Sequence, residues 1–193
     1  SAMDYDVEQT RFEEVTKFRP KDESSEFFNY DPSKCILCRR CVRTCNQLQS
    51  NHTLSLKNRG VATWVGLPFD KLFKDSNCVS CGNCVSVCPT GALTTKASKK
   101  YRSWEVTKTR TTCPYCGVGC QMDLLVKNGK IVGVEPADGP ANSNLLCVKG
   151  KFAYRFINHP DRLKTPLVRK NGVLTSTSWD EALDYVAEGI KRI

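Results

Sequence analysis

The chain has 193 residues, among them 29 Lys or Arg, 20 Asp or Glu and 12 Cys, and its formal net charge is +9. It contains no apolar run near the roughly 18 residues of a membrane helix, and it does not open on a basic-then-apolar signal segment. The sequence therefore predicts a cytoplasmic protein of one or two domains without membrane insertion, and it argues against a secreted disulfide scaffold.

The chain opens on a charged stretch, residues 1–29, that has few apolar positions. A segment with low hydrophobicity and high charge has little apolar surface to bury. We therefore expect a loose leader that packs only against additional protein.

Two cysteine runs follow, and the second repeats the first at an offset of 43 residues, from Cys35 to Cys78. Both have the C-x2-C-x2-C-x3-C spacing of bacterial ferredoxins, in which the fourth cysteine of each run ligates the other 4Fe–4S cluster. Structural zinc sites use simple pairs, usually with His, and His52 and His159 lie away from both runs. The runs predict two clusters, one held by Cys35, Cys38, Cys41 and Cys88, the other by Cys45, Cys78, Cys81 and Cys84.

Between the two runs, the sequence predicts a small hairpin and a short helix. Residues 54–56 and 61–65 resemble strands and flank the turn sequence Asn58-Arg59-Gly60. Residues 68–75 open with a proline, which is favourable at a helix start. We expect Trp64 and Phe69 to be core residues and not electron conduits.

Residues 96–110 are rich in basic side chains and poor in apolar ones. We interpret the first part, 96–106, as an inter-domain linker that leads to a strand near residues 104–111. Basic clusters can bind nucleic-acid phosphates, but only Tyr101 and Trp104 offer stacking surfaces here. A solvated linker or a docking surface for an acidic partner fits better, so no nucleic-acid partner is predicted.

A third cysteine group has the spacing Cys113-x2-Cys116-x3-Cys120, with Cys147 further along the chain. Three close thiolates and a remote one suit a 4Fe–4S cubane, although this spacing alone also suits zinc. The surrounding pattern is mostly β, because residues 121–127 and 130–135 flank Asn-Gly, the strongest short-range hairpin signal. A turn capped by Asn142 or Ser143 is expected to deliver Cys147, and a helix is expected at 151–157.

The last thirty residues predict a second hairpin and an amphipathic helix. Residues 167–168 and 173–174 flank Asn171-Gly172, and Ser178 with Glu181 forms a capping box at the start of the helix. The apolar face of this helix runs to the last residue and needs a partner. We interpret residues 164–193 as the beginning of a truncated domain from a longer subunit, with a complete small carrier as the alternative.

The residues around the cysteines resemble a known family. Residues 113–120 (CPYCGVGC) and 147–150 (CVKG) are similar to the iron–sulfur segment that opens molybdopterin-dependent oxidoreductases. Residues 31–46 (DPSKCILCRRCVRTCN) resemble the ferredoxin module of NAD-linked or ferredoxin-linked formate dehydrogenases. Residues 165–169 (TPLVR) and 178–183 (SWDEAL) look like the start of the large molybdopterin domain. Their order over residues 30–193 resembles the alpha, or catalytic, subunit of formate dehydrogenase.

The resemblance implies an α+β fold with a bacterial 2x4Fe–4S ferredoxin-like domain at 30–95. A small β-rich 4Fe–4S domain of the molybdopterin oxidoreductase type follows at 107–163. The resemblance also implies a third cluster on Cys113, Cys116, Cys120 and Cys147. Lys149 would then pass electrons between that cluster and the pterin. The bis-molybdopterin guanine dinucleotide, with Mo or W, would lie in the rest of the subunit, so no catalytic residue is expected here.

The predicted function is electron relay between a Mo/W-pterin site and a redox partner, either a partner subunit or a ferredoxin- or NAD-linked module. The alternatives are the same portion of an assimilatory nitrate reductase or other molybdopterin oxidoreductase, and a free-standing polyferredoxin. Three oxidised clusters on twelve thiolates would lower the formal charge to about +3. Gly82, Gly117 and Gly119 are expected to let backbone N–H groups approach the cluster sulfurs.

Overall fold

A computed structural model describes residues 2–6, 8, 19–96 and 101–193, which divide into two compact units, Ser1–Tyr154 and Arg155–Ile193. Its α-helices are α1 (Arg40–Arg43), α2 (Asn83–Ser86), α3 (Val148–Phe152) and α4 (Trp179–Lys191). Its strands are β1 (Phe28–Tyr30), β2 (Ser55–Lys57), β3 (Trp64–Gly66), β4 (Leu93–Thr95), β5 (Thr107–Thr112), β6 (Gln121–Lys127), β7 (Lys130–Pro136), β8 (Leu167–Lys170) and β9 (Val173–Ser176). Across these ranges, no helix is long and apolar enough to cross a membrane.

The first part of unit one, residues 22–96, is called here the duplicated module. Its ends are joined by β1 and β4, which pair antiparallel with Phe28 opposite Thr95 and Tyr30 opposite Leu93. Phe28 is 1% exposed, and the Tyr30 hydroxyl donates to the backbone oxygen of Val65 at 2.6 Å. These long-range contacts close the module around a core that includes several of the cysteines.

The expectation that residues 1–29 pack only against additional protein is wrong for the part nearest β1. Asp22 exchanges backbone hydrogen bonds with Tyr30, and its carboxylate accepts the Phe73 N–H at 2.9 Å. Asp22 is buried, and these bonds satisfy its polar atoms. Phe28, in the same segment, supplies buried apolar surface. Residues 1, 7 and 9–18 of the predicted leader lie outside the described residues.

The segment between the two cysteine runs contains the predicted hairpin. Strands β2 and β3 pair antiparallel, with Leu56 opposite Val65. The short helix expected at 68–75 is instead two 3-10 turns, Pro68–Asp70 and Phe73–Asp75. Phe69 lies in the left-handed region with φ +58° and is 90% exposed, so its expected place in the core is wrong. The buried aromatic is Phe73, which packs edge-on against Phe28.

The cysteine repeat is also a repeat of backbone conformation. Helix α1 begins at residue 40 and α2 at residue 83, so the helices follow the same 43-residue offset as the cysteines. The residue before each helix is left-handed, with φ +61° at Arg39 and +72° at Gly82. Each short helix therefore begins with the same backbone conformation, and Cys41 in α1 occupies the position of Cys84 in α2.

The second part of unit one, residues 107–152, is called here the three-stranded module. Its sheet has the order β5-β6-β7, with Thr109 opposite Leu124 and Leu124 opposite Val134. The Asn128-Gly129 hairpin is confirmed, since both turn residues have positive φ and join β6 to β7. Helix α3 begins at Val148 and gives way to a 3-10 turn at Ala153–Asn158, so the helix starts earlier than expected.

The second unit contains the hairpin β8–β9 and helix α4. Val168 pairs with Thr175, and the turn at Asn171-Gly172 again has positive φ at both positions. The Ser178 hydroxyl accepts the Glu181 N–H at 3.2 Å, which is the first half of the predicted capping box. The Glu181 carboxylate instead contacts Lys170 and Thr177. The apolar positions of α4 are exposed, among them Leu183, Val186 and Ile190.

Candidate metal centres

The first predicted ligand group gathers around α1. The pKa of the Cys41 thiol is raised to about 11, mainly by burial and further by the charges of Cys35, Cys88 and Cys38, while the Val42 N–H opposes the rise. Cys88 lies far along the chain from Cys41. It nevertheless interacts electrostatically with Cys41, as Cys35 and Cys38 of the first run also do. The four cysteines predicted to share one cluster are therefore electrostatic neighbours.

Backbone donors approach the sulfur of Cys88, which arrives between α2 and β4. Burial alone would raise the pKa of this thiol, but N–H groups of Leu93, Thr90 and Ala92 and the Thr90 hydroxyl lower it. The Leu93 N–H donates to Cys88 Sγ at 3.4 Å. Donors of this kind stabilise a thiolate, which is the form that binds metal.

The second group gathers around α2 and lines a cavity. Burial raises the pKa of the Cys84 thiol well above its ordinary value, and Cys81, Cys78, Cys41 and Cys45 add to the rise. A small pocket that opens to solvent is lined by Cys45, Cys78, Cys81 and Cys84. The interaction of Cys84 with Cys41 also places the first two groups beside each other.

The third group lies in the three-stranded module. Burial raises the pKa of the Cys120 thiol, and the charges of Cys113, Cys116 and Cys147 raise it further. Cys113 is buried beside Met122, Val134 and Leu146, whereas Cys116 and Cys147 are exposed. Lys149, the predicted electron relay, is an exposed residue of α3 two positions after Cys147.

The turn before Cys147 is held by Asn142, which is one of the two residues predicted to cap it. Its side-chain amide donates to the backbone oxygens of Gln121, Ala137 and Leu145 at 3.0–3.1 Å, and its oxygen accepts the Gln121 N–H at 2.9 Å. A single buried amide therefore ties the loop before Cys147 to the start of β6. The fourth cysteine of the third group, Cys147, is thus held to the strand that follows the first three.

The donor set fits iron–sulfur clusters. All twelve cysteines are free thiols, and they fall into three groups whose members raise one another's pKa. Four adjoining thiolates repel one another unless a cationic core neutralises them, and a 4Fe–4S cluster supplies that core. Within the described ranges, no three His, Cys, Asp or Glu side chains are placed to hold a metal ion. That absence concerns sites for a single ion, because thiolates on one zinc lie about 3.8 Å apart. A cubane instead distributes four thiolates over separate irons.

The duplicated module contacts the three-stranded module beside the second group. Phe27 stacks on Phe152 of α3 with ring centres 5.0 Å apart, and the Lys151 ammonium contacts the Ser86 hydroxyl of α2. The Asn83 amide bonds both backbone groups of Leu146, the residue before Cys147. These residues bring the second and third cysteine groups to neighbouring positions.

Sequence reasoning missed Asn83, Lys151 and Phe152. No local pattern distinguishes a buried bridging asparagine from a helix cap, and a lysine near a cysteine resembles any surface lysine. Their roles arise from the packing of residues 83–86 against 146–152, which are distant in the chain. The role of the glycines stays a prediction: the Asn83 N–H, which follows Gly82, donates to the Cys81 sulfur, and the N–H groups of Ser80 and Leu93 reach Cys78 and Cys88.

Lys151→Gln is expected to lower the reduction potential of a cluster bound by the second group. The Lys151 charge lowers the pKa of the Cys81 thiol, which burial raises, and it stabilises the more negative reduced state in the same way. A partly exposed charge contributes about 1 kcal/mol, or roughly 40 mV for one electron. Potentiometric EPR titration measures the shift, and Lys130→Gln at the start of β7 is the matched control. Equal potentials in both variants would contradict the assignment.

The matches to known domains follow the order of these groups. Residues 25–94 match the NADH-quinone oxidoreductase subunit 3 ferredoxin-like domain, and residues 106–159 match the molybdopterin oxidoreductase Fe4S4 domain. Residues 162–193 match the molybdopterin oxidoreductase domain. The chain is thus an iron–sulfur electron-transfer region of a molybdopterin oxidoreductase, which confirms the family resemblance found in its sequence.

Relatives carry the formate dehydrogenase name. A Staphylococcus haemolyticus protein provisionally named a formate dehydrogenase is 36% identical over 100% of this chain and 24% of its own length. A Staphylococcus aureus strain Mu50 protein with the same provisional name is 36% identical over 86% of this chain and 21% of its own. The chain therefore spans about a quarter or less of these relatives.

A comparison with solved structures finds an NAD+-reducing [NiFe]-hydrogenase in its H2-reduced state. The two chains share 26% sequence identity, and the TM-score is 0.40. The match covers 50% of this chain and 42% of the hydrogenase chain.

Proposed function

We propose that this chain is the electron-relay portion of a formate dehydrogenase catalytic subunit. Three 4Fe–4S clusters would carry electrons between a Mo- or W-pterin centre elsewhere in the subunit and a redox partner. The observation that carries the proposal is the electrostatic interaction of each remote fourth cysteine with its predicted group, namely Cys88 with Cys41, Cys45 with Cys84 and Cys147 with Cys120. The formate dehydrogenase name of the relatives supports formate as the substrate.

Each residue set has a distinct part in the proposal. Cys35, Cys38, Cys41 and Cys88 would hold the first cluster, Cys45, Cys78, Cys81 and Cys84 the second, and Cys113, Cys116, Cys120 and Cys147 the third. When bound, each cluster takes up or releases one electron at a time. The protein supplies thiolate ligands, N–H donors to sulfur and nearby positive charge, which together tune the potential.

The exposed side of the third group suits a contact with the pterin-bearing part of the subunit. Cys116 and Cys147 are exposed, and Tyr115 and Val118 between the ligands are 37% and 56% exposed. Lys149 is exposed beside them. The second group is covered by the contact with α3, so the order of electron flow would be pterin, third, second and first cluster.

Lys149→Gln is expected to slow the reduction of the clusters by formate in the intact subunit by about 10- to 100-fold, the usual effect of losing a residue next to metal ligands. Reduction by dithionite should be unchanged, because that reagent reaches the clusters without the pterin. Stopped-flow loss of visible cluster absorbance measures both rates, and Lys130→Gln is the control.

Substrate choice has its own test in the same preparation. Formate should reduce the wild-type clusters anaerobically, and nitrate should leave dithionite-reduced clusters unchanged. Reoxidation by nitrate without reduction by formate would support the nitrate reductase alternative. Normal formate rates in Lys149→Gln would remove the lysine from the relay while leaving the substrate assignment intact.

A further inference from the structure

The Asn83 side chain joins three parts of unit one through a fully bonded amide. Asn83 is 2% exposed and begins α2. Its Nδ2 donates to Gln49 Oε1 at 2.8 Å and to the Leu146 backbone oxygen at 3.1 Å, while its Oδ1 accepts the Leu146 N–H at 3.4 Å. The amide thus bonds both the N–H and the C=O of Leu146, as a paired β-strand would. These bonds link the duplicated module to the three-stranded module.

Each end of this bridge is directly attached to a cysteine ligand. Asn83 immediately precedes Cys84, and its backbone N–H donates to the Cys81 sulfur. Leu146 is 3% exposed and immediately precedes Cys147. A path of one side chain and one hydrogen bond therefore connects ligands of the second group to a ligand of the third.

We propose that Asn83 is a positioning residue that fixes the third cluster relative to the second and so sets the rate of electron exchange between them. This inference rests on the proposed function, because it requires clusters in both groups. Each exchange moves one electron: the donor cluster is oxidised from the +1 to the +2 core, and the acceptor is reduced from +2 to +1. No bond breaks and no proton moves.

The internal repeat shows that α2 itself does not require this asparagine. The equivalent residue before the first run's third cysteine is Arg40, which is exposed and begins α1 with the same backbone entry. Only the second copy faces Leu146. A buried amide with three bonds is costly to replace, because its partners would lose their bonds away from water.

Other contacts should keep the two modules folded when Asn83 is replaced. Phe27 and Phe152 still stack, and Lys151 still contacts Ser86. The expected consequence is a change in the spacing and electronic contact of assembled clusters.

The experiment compares Asn83→Leu and Asn83→Asp with wild type in the full chain, purified anaerobically. Leucine keeps the branched shape and the number of side-chain heavy atoms without any hydrogen bond, whereas aspartate keeps the acceptor for the Leu146 N–H and loses the donor. Asn46→Ala is the matched control, because the Asn46 amide bonds the Leu54 backbone oxygen within the duplicated module. Iron content, the EPR spin coupling between reduced clusters and the electron equilibration rate after a photoreduction pulse are measured.

Asn83→Leu should keep the individual cluster potentials, whereas the added carboxylate charge of Asn83→Asp should lower the potential of the second cluster. Both variants should keep wild-type iron. They should show weakened coupling between the second and third clusters and equilibration slowed by about 10-fold or more. Asn46→Ala should match wild type. Native coupling and rate in both Asn83 variants overturn the inference, as does loss of iron from both, which would make the residue necessary for assembly. Fewer than three clusters in wild type would instead refute the proposed function.

Discussion

Cys113→Ser is expected to remove about four iron atoms and four sulfides per chain from a wild-type content of about 12 each. Cys113 is the buried first ligand of the third group and packs beside Leu146 and Met122. A serine hydroxyl remains protonated at neutral pH and does not replace a thiolate as a ligand. The first two groups share no ligand with the third, so the remaining eight irons should stay bound.

The measurement is iron, zinc and acid-labile sulfide on anaerobically purified protein, followed by EPR after dithionite reduction. Val118→Ala serves as the control, because Val118 lies in the same loop and is 56% exposed. It should retain all three clusters. Cys84→Ser should in contrast remove iron from the duplicated module, where Cys84 is buried between both groups.

A different metal content would change the interpretation of the third group. About eight irons with one zinc in wild type, and loss of that zinc in Cys113→Ser, would identify a structural zinc site. The duplicated module would remain a two-cluster carrier. The relay through Lys149 would then be wrong.

Gly82→Ala is expected to destabilise the contact between the duplicated module and the three-stranded module. Gly82 has φ +72°, and a Cβ there would lie 2.5 Å from Phe152 Cζ and 2.8 Å from Phe152 Cε2. Left-handed backbone costs alanine about 1–2 kcal/mol, and forced overpacking adds about 1–3 kcal/mol. The clash should be the deciding contribution, since Arg39 adopts the equivalent backbone conformation with a full side chain.

Gly60→Ala separates these two costs. Gly60 also has positive φ, at +57°, but no atom lies within 4 Å of the Cβ position. The rate of cluster loss at a fixed guanidinium concentration should be at least about 10-fold higher in Gly82→Ala than in Gly60→Ala, corresponding to about 1.4 kcal/mol. Visible absorbance under anaerobic conditions follows this loss.

A double-mutant cycle identifies Phe152 as the source of the clash. In a Phe152→Ala background, which removes the ring, Gly82→Ala should cost only as much as Gly60→Ala. An equal effect of Gly82→Ala with and without the ring would show that backbone strain alone is responsible.

Local chemistry explains which parts of the fold sequence reasoning predicted. The Asn128-Gly129 and Asn171-Gly172 turns need positive φ at both central positions, and these residue types accept it at low cost. The cysteine spacing is likewise local within each run. Both kinds of feature depend on residues a few positions apart, so a single sequence is sufficient to predict them.

The remaining features depend on contacts between distant segments. Strand β1 is short and follows a charged stretch, and its burial comes from pairing Phe28 with Thr95 at the other end of the module. Phe69 and Phe73 have equal hydrophobicity, yet only Phe73 faces Phe28. Asn83 acquires its partners because Leu146 arrives from the three-stranded module. No periodicity in the sequence contains this information.

The departure from symmetry between the two cysteine runs has a consequence for contacts with other protein. Arg39 and Arg40 occupy in the first run the positions that Gly82 and Asn83 occupy in the second, and both arginines are exposed. The second run is thus covered by the Phe152 ring and bonded to Leu146 through the Asn83 amide. The first run presents two arginine side chains to solvent. The two copies of the repeat therefore differ in what they offer a neighbour: the second copy is covered by the three-stranded module, and the first copy keeps an exposed, positively charged surface.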